Sequence, residues 1–210
     1  MTYMRLNINN VIRELRAKKM AMFSIEDFSR SFKLNPHKVS VFVSRNAKPE
    51  RGNFIRLKNG LYTLKDSQPS PLEIANIIYR PSYISLDIAL SYYNIIPEAV
   101  YSITSITARL SKRYKILNQA YEYHKIIKGL YFGYKTIKTG NKYIVIATRE
   151  KALLDYLYFV AMGKKKYNDR FDFKNLDKKN FNNYSSRFFK SIKNENIRKN
   201  LGLLLKRIKL

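Results

Sequence analysis

The pattern of apolar and polar positions opens with a helical stripe. Ile8, Val11, Ile12 and Leu15 recur at i, i+3, i+4 and i+7, which predicts an amphipathic helix. In "FSIEDFSRSF", Ser24 is placed as an N-cap with Asp27 three residues on, and Ile25, Phe28 and Phe32 form the buried stripe. The chain breaks at "KLNP". Asn35 and Pro36, as N-cap and first helical residue, then start a third helix with Val39, Phe42 and Val43 on its inner face. Its outer face presents His37, Lys38, Ser40, Val41, Ser44 and Arg45.

After the loop "AKPERGN", the stretch "FIRLKNGLYTL" reads as a β-hairpin turning at Asn59-Gly60, a pair that suits a type I′ turn. That turn pairs Leu57 with Tyr62, Ile55 with Leu64, Arg56 with Thr63 and Lys58 with Leu61. Period-2 geometry then puts Ile55, Leu57, Tyr62 and Leu64 on one face, and Arg56, Lys58, Leu61 and Thr63 on the other. Three short helices followed by a basic-faced hairpin describe a winged helix-turn-helix over residues 1–66. In that fold the third helix enters the major groove and the hairpin tracks the phosphates.

"KDSQPSP", Lys65 to Pro71, marks a linker. Beyond it "PLEIANIIY" is a short helix, and Ser85 is placed to cap another whose inner face is Leu86, Ala89, Leu90 and Tyr93. From Val100 the pattern turns β-like, in "VYSITSIT", "YKIL", "YEYHKII", "LYFGYKTIK" and "KYIVIA", and predicts a meander of short strands. Thr148 then caps "REKALLDYLYFVAM". Residues 67–163 therefore read as an α/β domain with short, mostly antiparallel strands. In 164–210, a polar stretch with spaced aromatics precedes a basic amphipathic helix, "NIRKNLGLLLKRIKL", expected to dock its apolar face on the second domain. The fold class is α+β, with a helical C-terminal tail.

Charge changes the picture most. The chain of 210 residues carries 41 Lys+Arg against 15 Asp+Glu, a net charge of +26. Its richness in Lys, Ile, Asn and Tyr is what AT-rich coding produces, but such coding does not deplete acids, and acids are scarce here. A polyanion partner is expected, nucleic acid before membrane. Residues 1–66 carry 14 basic and 5 acidic residues, and 161–210 carry 15 and 4. On the first domain, His37, Lys38, Ser40, Ser44 and Arg45 are the candidates for the groove face. Lys48, Arg51, Arg56 and Lys58 are the candidates for phosphate contacts, which position without specifying. A second basic run, Arg109, Lys112, Arg113 and Lys115, is a candidate surface for nucleic acid or a protein partner, or a solvated loop between strands.

The chemistry of catalysis is harder to find. The chain has no cysteine, which excludes disulfides and thiolate sites and suits a reducing cytoplasm. The two histidines, His37 and His124, have no ligand partner at metal spacing, and His124 reads as an exposed strand residue. Neither a G-x-S-x-G elbow nor a phosphate-binding G-x-x-x-x-G-K-[ST] loop occurs. Glu150 and Asp155 lie on one predicted helix, where Asp155 is read as a metal ligand or, more simply, as a salt-bridge partner for lysine. No catalytic residue, metal or cofactor is assigned, and a non-enzyme is expected. The opening residues lack a signal-peptide layout and no apolar run approaches a membrane span, so the chain is expected to be cytoplasmic.

Two stretches, "PSYISLDIALSYYNIIPEAVYSITS" (81–105) and "IATREKALLDYLYF" (146–159), resemble the AbiEi family of antitoxins of type IV toxin–antitoxin, or abortive infection, systems. The order of parts matches as well, over roughly residues 10–160. Two departures are Asn94, where the family often has glycine, and Arg149, where it often has proline. The resemblance implies a cytoplasmic, phage-defence regulator with two roles. The first domain would bind double-stranded DNA at operator repeats and repress its own operon. The second would counteract a nucleotidyltransferase-class toxin, an opposition that needs no stable complex. A monomer in solution is expected, any cooperativity arising on the DNA. Two other classes fit less of the pattern: a stand-alone winged-helix regulator with a ligand-binding domain, and a metal-dependent nuclease working through Asp155 or Glu150.

Overall fold

A computed structural model describes residues 6–48, 50–67, 69–139 and 142–208. Among them the chain is mixed α+β, with eight α-helices and two sheets of short, mostly antiparallel strands. It divides into two compact units, Met1–Ser70 and Pro71–Leu210.

The first unit contains α1 (Ile8–Ala17), β1 (Met22–Ser24), α2 (Ile25–Phe32), α3 (Pro36–Arg45), β2 (Phe54–Lys58) and β3 (Leu61–Leu64). Local chemistry starts each helix. Asn7 accepts from the Asn9 N–H at the head of α1, and Asn35 accepts from the His37 N–H at the head of α3. At α2, Ser24 and Asp27 form a complete capping box. Lys33 then stops α2 in the left-handed conformation, φ 53°. The core gathers Val11, Leu15, Phe23, Phe28, Val39, Val43, Phe54, Tyr62 and Leu64. Phe23 meets Phe54 edge-on at 5.3 Å, clamping the strands together.

Three expectations for this unit are corrected. The hairpin is not isolated: β1 adds a third strand, giving the antiparallel order β1-β3-β2, so β3 is central and wholly buried. Of the two turn residues only Gly60 has positive φ (74°), so the turn is not type I′. An irregularity between Arg56 and Lys58 also shifts the register, which pairs Phe54 with Leu64, Ile55 with Thr63 and Arg56 with Tyr62, while Lys58 stays opposite Leu61. Phe54 thereby takes the core position and Ile55 is only half-buried.

The second unit contains α4 (Pro71–Ile78), β4 (Ser82–Ile84), α5 (Asp87–Tyr92), β5 (Ile103–Thr107), β6 (Lys112–Ile116), β7 (Gln119–Lys125), β8 (Tyr134–Thr139), β9 (Lys142–Ala147), α6 (Arg149–Ala161), α7 (Lys178–Ser191) and α8 (Glu195–Arg207). Its sheet order is β6-β7-β5-β4-β9-β8. This is not a meander, because β5 pairs with β7 and β4 with β9 in parallel. One face meets α4, where the Tyr123 hydroxyl donates to the Ala75 carbonyl at 2.6 Å. The other meets α6, where the His124 ring stands edge-on to Phe159 at 5.5 Å. β4 and β5 are buried on both faces, so they carry no alternation, and β4 is hidden in the sequence.

α6 is buried nearly all round, because α7 and α8 pack against it. Residues beyond 163 thus belong to the second unit. The polar stretch before α7 is held by the ion pairs Lys165–Asp87 and Arg170–Glu98, and by the Asp172 N–H donating to the Ile95 carbonyl. Glu150, in the first turn of α6, accepts from the Asp177 N–H, and Asp177 in turn caps α7.

Candidate nucleic-acid interface

Helix α3 owes its outward face to the three side chains that face inward. Val39 and Val43 are fully buried, and Phe42 packs on Phe54 of β2 with ring centroids 6.4 Å apart. Helical geometry then turns His37, Lys38, Val41, Ser44 and Arg45 to solvent, where all five are exposed; Ser40 is half-buried. The helix contains no acidic residue. Its hold on α2 is a short turn in which the Leu34 N–H donates to Ser29 O at 3.0 Å and the Ser29 hydroxyl donates to Leu34 O.

The basic residues downstream are placed by a tight loop. Gly52 N–H donates to Lys48 O at 2.8 Å, and Phe54 N–H to Asn46 O at 3.0 Å. A Cβ on Gly52 would lie 2.4 Å from Lys48 O, so this close approach requires glycine. Lys48 and Arg51 are exposed on that loop. On β2, Arg56 is exposed and donates to Asn59 Oδ1 at 2.8 Å, while Lys58 is half-buried. Of the unit's five acids, Asp27 is engaged in the capping box and Asp66 in an ion pair with Arg16, while Glu50 is exposed on the same loop as Lys48 and Arg51. The nine sequence candidates therefore fall on one helix face, the loop that follows it and one strand, all in one small unit.

The second basic run does not gather in the same way. Lys112 and Lys115 sit on edge strand β6 at odd spacing, hence on opposite faces, and Arg113 pairs with Glu122 at 3.0 Å. Arg109 lies outside the strand. Its guanidinium rests 4.8 Å over the Tyr79 ring and donates to Arg80 O. Lysines along an edge strand also discourage pairing with other chains, which is a structural use for them.

The stretches 81–105 and 146–159 meet in the core of the second unit. Tyr83 donates to Asp155 Oδ2 at 3.0 Å, Ser85 donates to the same oxygen at 2.8 Å, and Lys151 pairs with Asp155 Oδ1. Lys151 also donates to the Tyr83 hydroxyl at 2.8 Å. Three rings, Tyr83, Phe132 and Phe188, surround its ammonium at 5.0–5.3 Å. Burial drives the Asp155 carboxyl up and the Lys151 ammonium down from their ordinary values, and their mutual attraction opposes both shifts. Lys151, Asp155, Tyr83 and Ser85 are all 0% exposed, so the tetrad is closed off from solvent. Ser85 therefore does not cap α5. That helix begins at Asp87 with Leu86 in the N-cap position and no side-chain cap, while the Ser85 hydroxyl is committed to Asp155. A Lys and an Asp four apart on α6 were the sequence signal for the pair; nothing local announced Tyr83 and Ser85.

His124 is not an exposed strand residue. It is largely enclosed, its Nε2 lying 3.6 Å from Glu122, and burial holds its pKa below the usual value against the pull of Glu122. Among the described residues no three His, Asp or Glu side chains converge as a metal cage, and no helix is long and apolar enough to cross a membrane. No protein-family model matches the chain, and no curated protein matches it.

Proposed function

We propose that the first unit is a winged-helix DNA-binding module and that the chain is an autoregulating antitoxin. The observation that carries the first part is the acid-free, solvent-facing side of α3, continued by Lys48, Arg51 and Arg56 within the same unit. In this reading α3 enters the major groove, with His37, Lys38, Ser40, Ser44 and Arg45 against the base edges. The loop and β2 then hold phosphates through Lys48, Arg51, Arg56 and Lys58. The net charge of +26 supports a polyanion partner, since neutralised phosphates release counterions.

The antitoxin part rests on the resemblance of 81–105 and 146–159 to AbiEi proteins. It gains support from the meeting of those two stretches in one buried tetrad, which makes them a single constellation. The opponent is a nucleotidyltransferase-class toxin, countered by the second unit in the cytoplasm.

The test has two arms. Binding of the full chain to the DNA upstream of its gene, against scrambled DNA over a salt series, should show a specific, salt-sensitive complex; equal affinity for both removes the repressor reading. Co-expression with a nucleotidyltransferase encoded beside the gene should restore growth that the nucleotidyltransferase alone abolishes. Growth arrest that persists removes the antitoxin reading and leaves the DNA reading intact.

A further inference from the structure

Nine large hydrophobic side chains of the described residues are exposed, and eight of them lie in the second unit. The one in the first unit is Val41, 38% exposed, at the middle of the outward face of α3. One helical turn before it is His37 and one turn after it is Arg45, both exposed and polar. An isolated surface valine needs no explanation in general. This one is distinguished by position. The other apolar side chains of α3, Val39, Phe42 and Val43, belong to or pack on that core, so Val41 is the exposed apolar side chain of the helix.

In the major groove the C5-methyl of thymine is the one apolar group that a base pair offers, and apolar side chains recognise it by contact. A β-branched side chain suits this task, because its χ1 is fixed in a helix and its two methyls need no ordering on binding. We propose that Val41 is a specificity-determining residue: its γ-methyls pack on a thymine methyl at the centre of the half-site, between the polar contacts of His37 and Arg45. The proposal rests on the DNA-binding reading above and adds the base that α3 selects at that step.

The experiment starts from the segment that the full-length protein protects in DNA upstream of its gene. Each thymine in that segment is replaced singly by deoxyuridine, which removes only the C5-methyl and keeps base pairing. At one or two thymines the affinity should fall about fourfold, the worth of roughly one buried methylene. Val41→Ala, at an exposed helical site where alanine folds well, should bind native DNA about fourfold more weakly and lose its response to deoxyuridine at those positions. Selective binding that no deoxyuridine weakens overturns the thymine contact and leaves the DNA reading standing. A response undiminished in Val41→Ala assigns the methyl to another residue and also overturns it. Failure to prefer the upstream DNA over scrambled DNA removes the DNA reading itself, and the contact with it.

Discussion

The Tyr83 hydroxyl donates to the Asp155 carboxylate at 3.0 Å across 72 residues of chain, joining strand β4 to helix α6 inside the second unit. Lys151, Ser85 and Tyr83 supply the hydrogen bonds that let a carboxylate stay fully buried there. The stem of Lys151 is confined as well. Gly133, at φ 72°, would bring a Cβ within 3.0–3.1 Å of it.

Removing one member should therefore cost far more than replacing the pair. Asp155→Ala leaves an ammonium buried among aromatic rings and should destabilise the second unit by about 3–5 kcal/mol. Lys151→Met combined with Asp155→Leu should cost much less than the sum of the single variants. Urea unfolding of the single and double variants measures this. A cost below about 1 kcal/mol for Asp155→Ala would show that the pair is not buried as described.

His124 predicts a pH dependence. Burial between β7 and α6 lowers its folded pKa below 6.5, with Glu122 and Asp87 opposing that shift and Lys165 and Arg113 reinforcing it. The folded chain then binds fewer protons than the unfolded chain. Its contribution to stability is complete above the unfolded value and is lost as pH falls through the folded one. The urea midpoint, followed by the NMR methyl signals of Leu154 on α6, should drop as pH falls below about 6.5, the ordinary histidine value. In His124→Gln that part of the slope should vanish. An unchanged slope would assign the titration elsewhere.

The type I′ turn expected at Asn59-Gly60 occurs instead between β6 and β7, where Leu117 and Asn118 have φ of 50° and 61°. Leucine is a poor residue for that conformation, and Leu117 is 55% exposed, so little packing holds it. Leu117→Asn should raise stability by about 1 kcal/mol. A lower unfolding midpoint would mean that the Leu117 side chain is needed for contacts.

At the proposed interface, Arg56→Ala should weaken binding to every DNA alike and reduce the log K against log salt slope by about 0.9, whereas Arg45→Ala should weaken binding to the upstream DNA and relax its preference over scrambled DNA. Both residues are exposed, so unfolding midpoints should hardly move. Unchanged affinity and slope in both variants would remove α3 and β2 from the interface.

The sequence alone determined what short-range chemistry controls. The apolar stripe of α1, the caps of α2 and α3 and the Thr148 cap on α6 each depend on residues within a turn of one another. So did the outward side of α3, which follows from helical periodicity once its apolar stripe is recognised. Tertiary structure decided the rest. β1 becomes a strand only because β3 offers it an edge, and the bulge in β2 moves Phe54 rather than Ile55 into the core. β4, buried on both faces, leaves no alternating pattern to read. The parallel pairings of the large sheet and the tetrad around Asp155 bring together groups many residues apart, Ser85 and Asp155 by 70. Periodicity records which face of an element is apolar, whereas the partner that covers a buried polar group is chosen only when distant segments close around it.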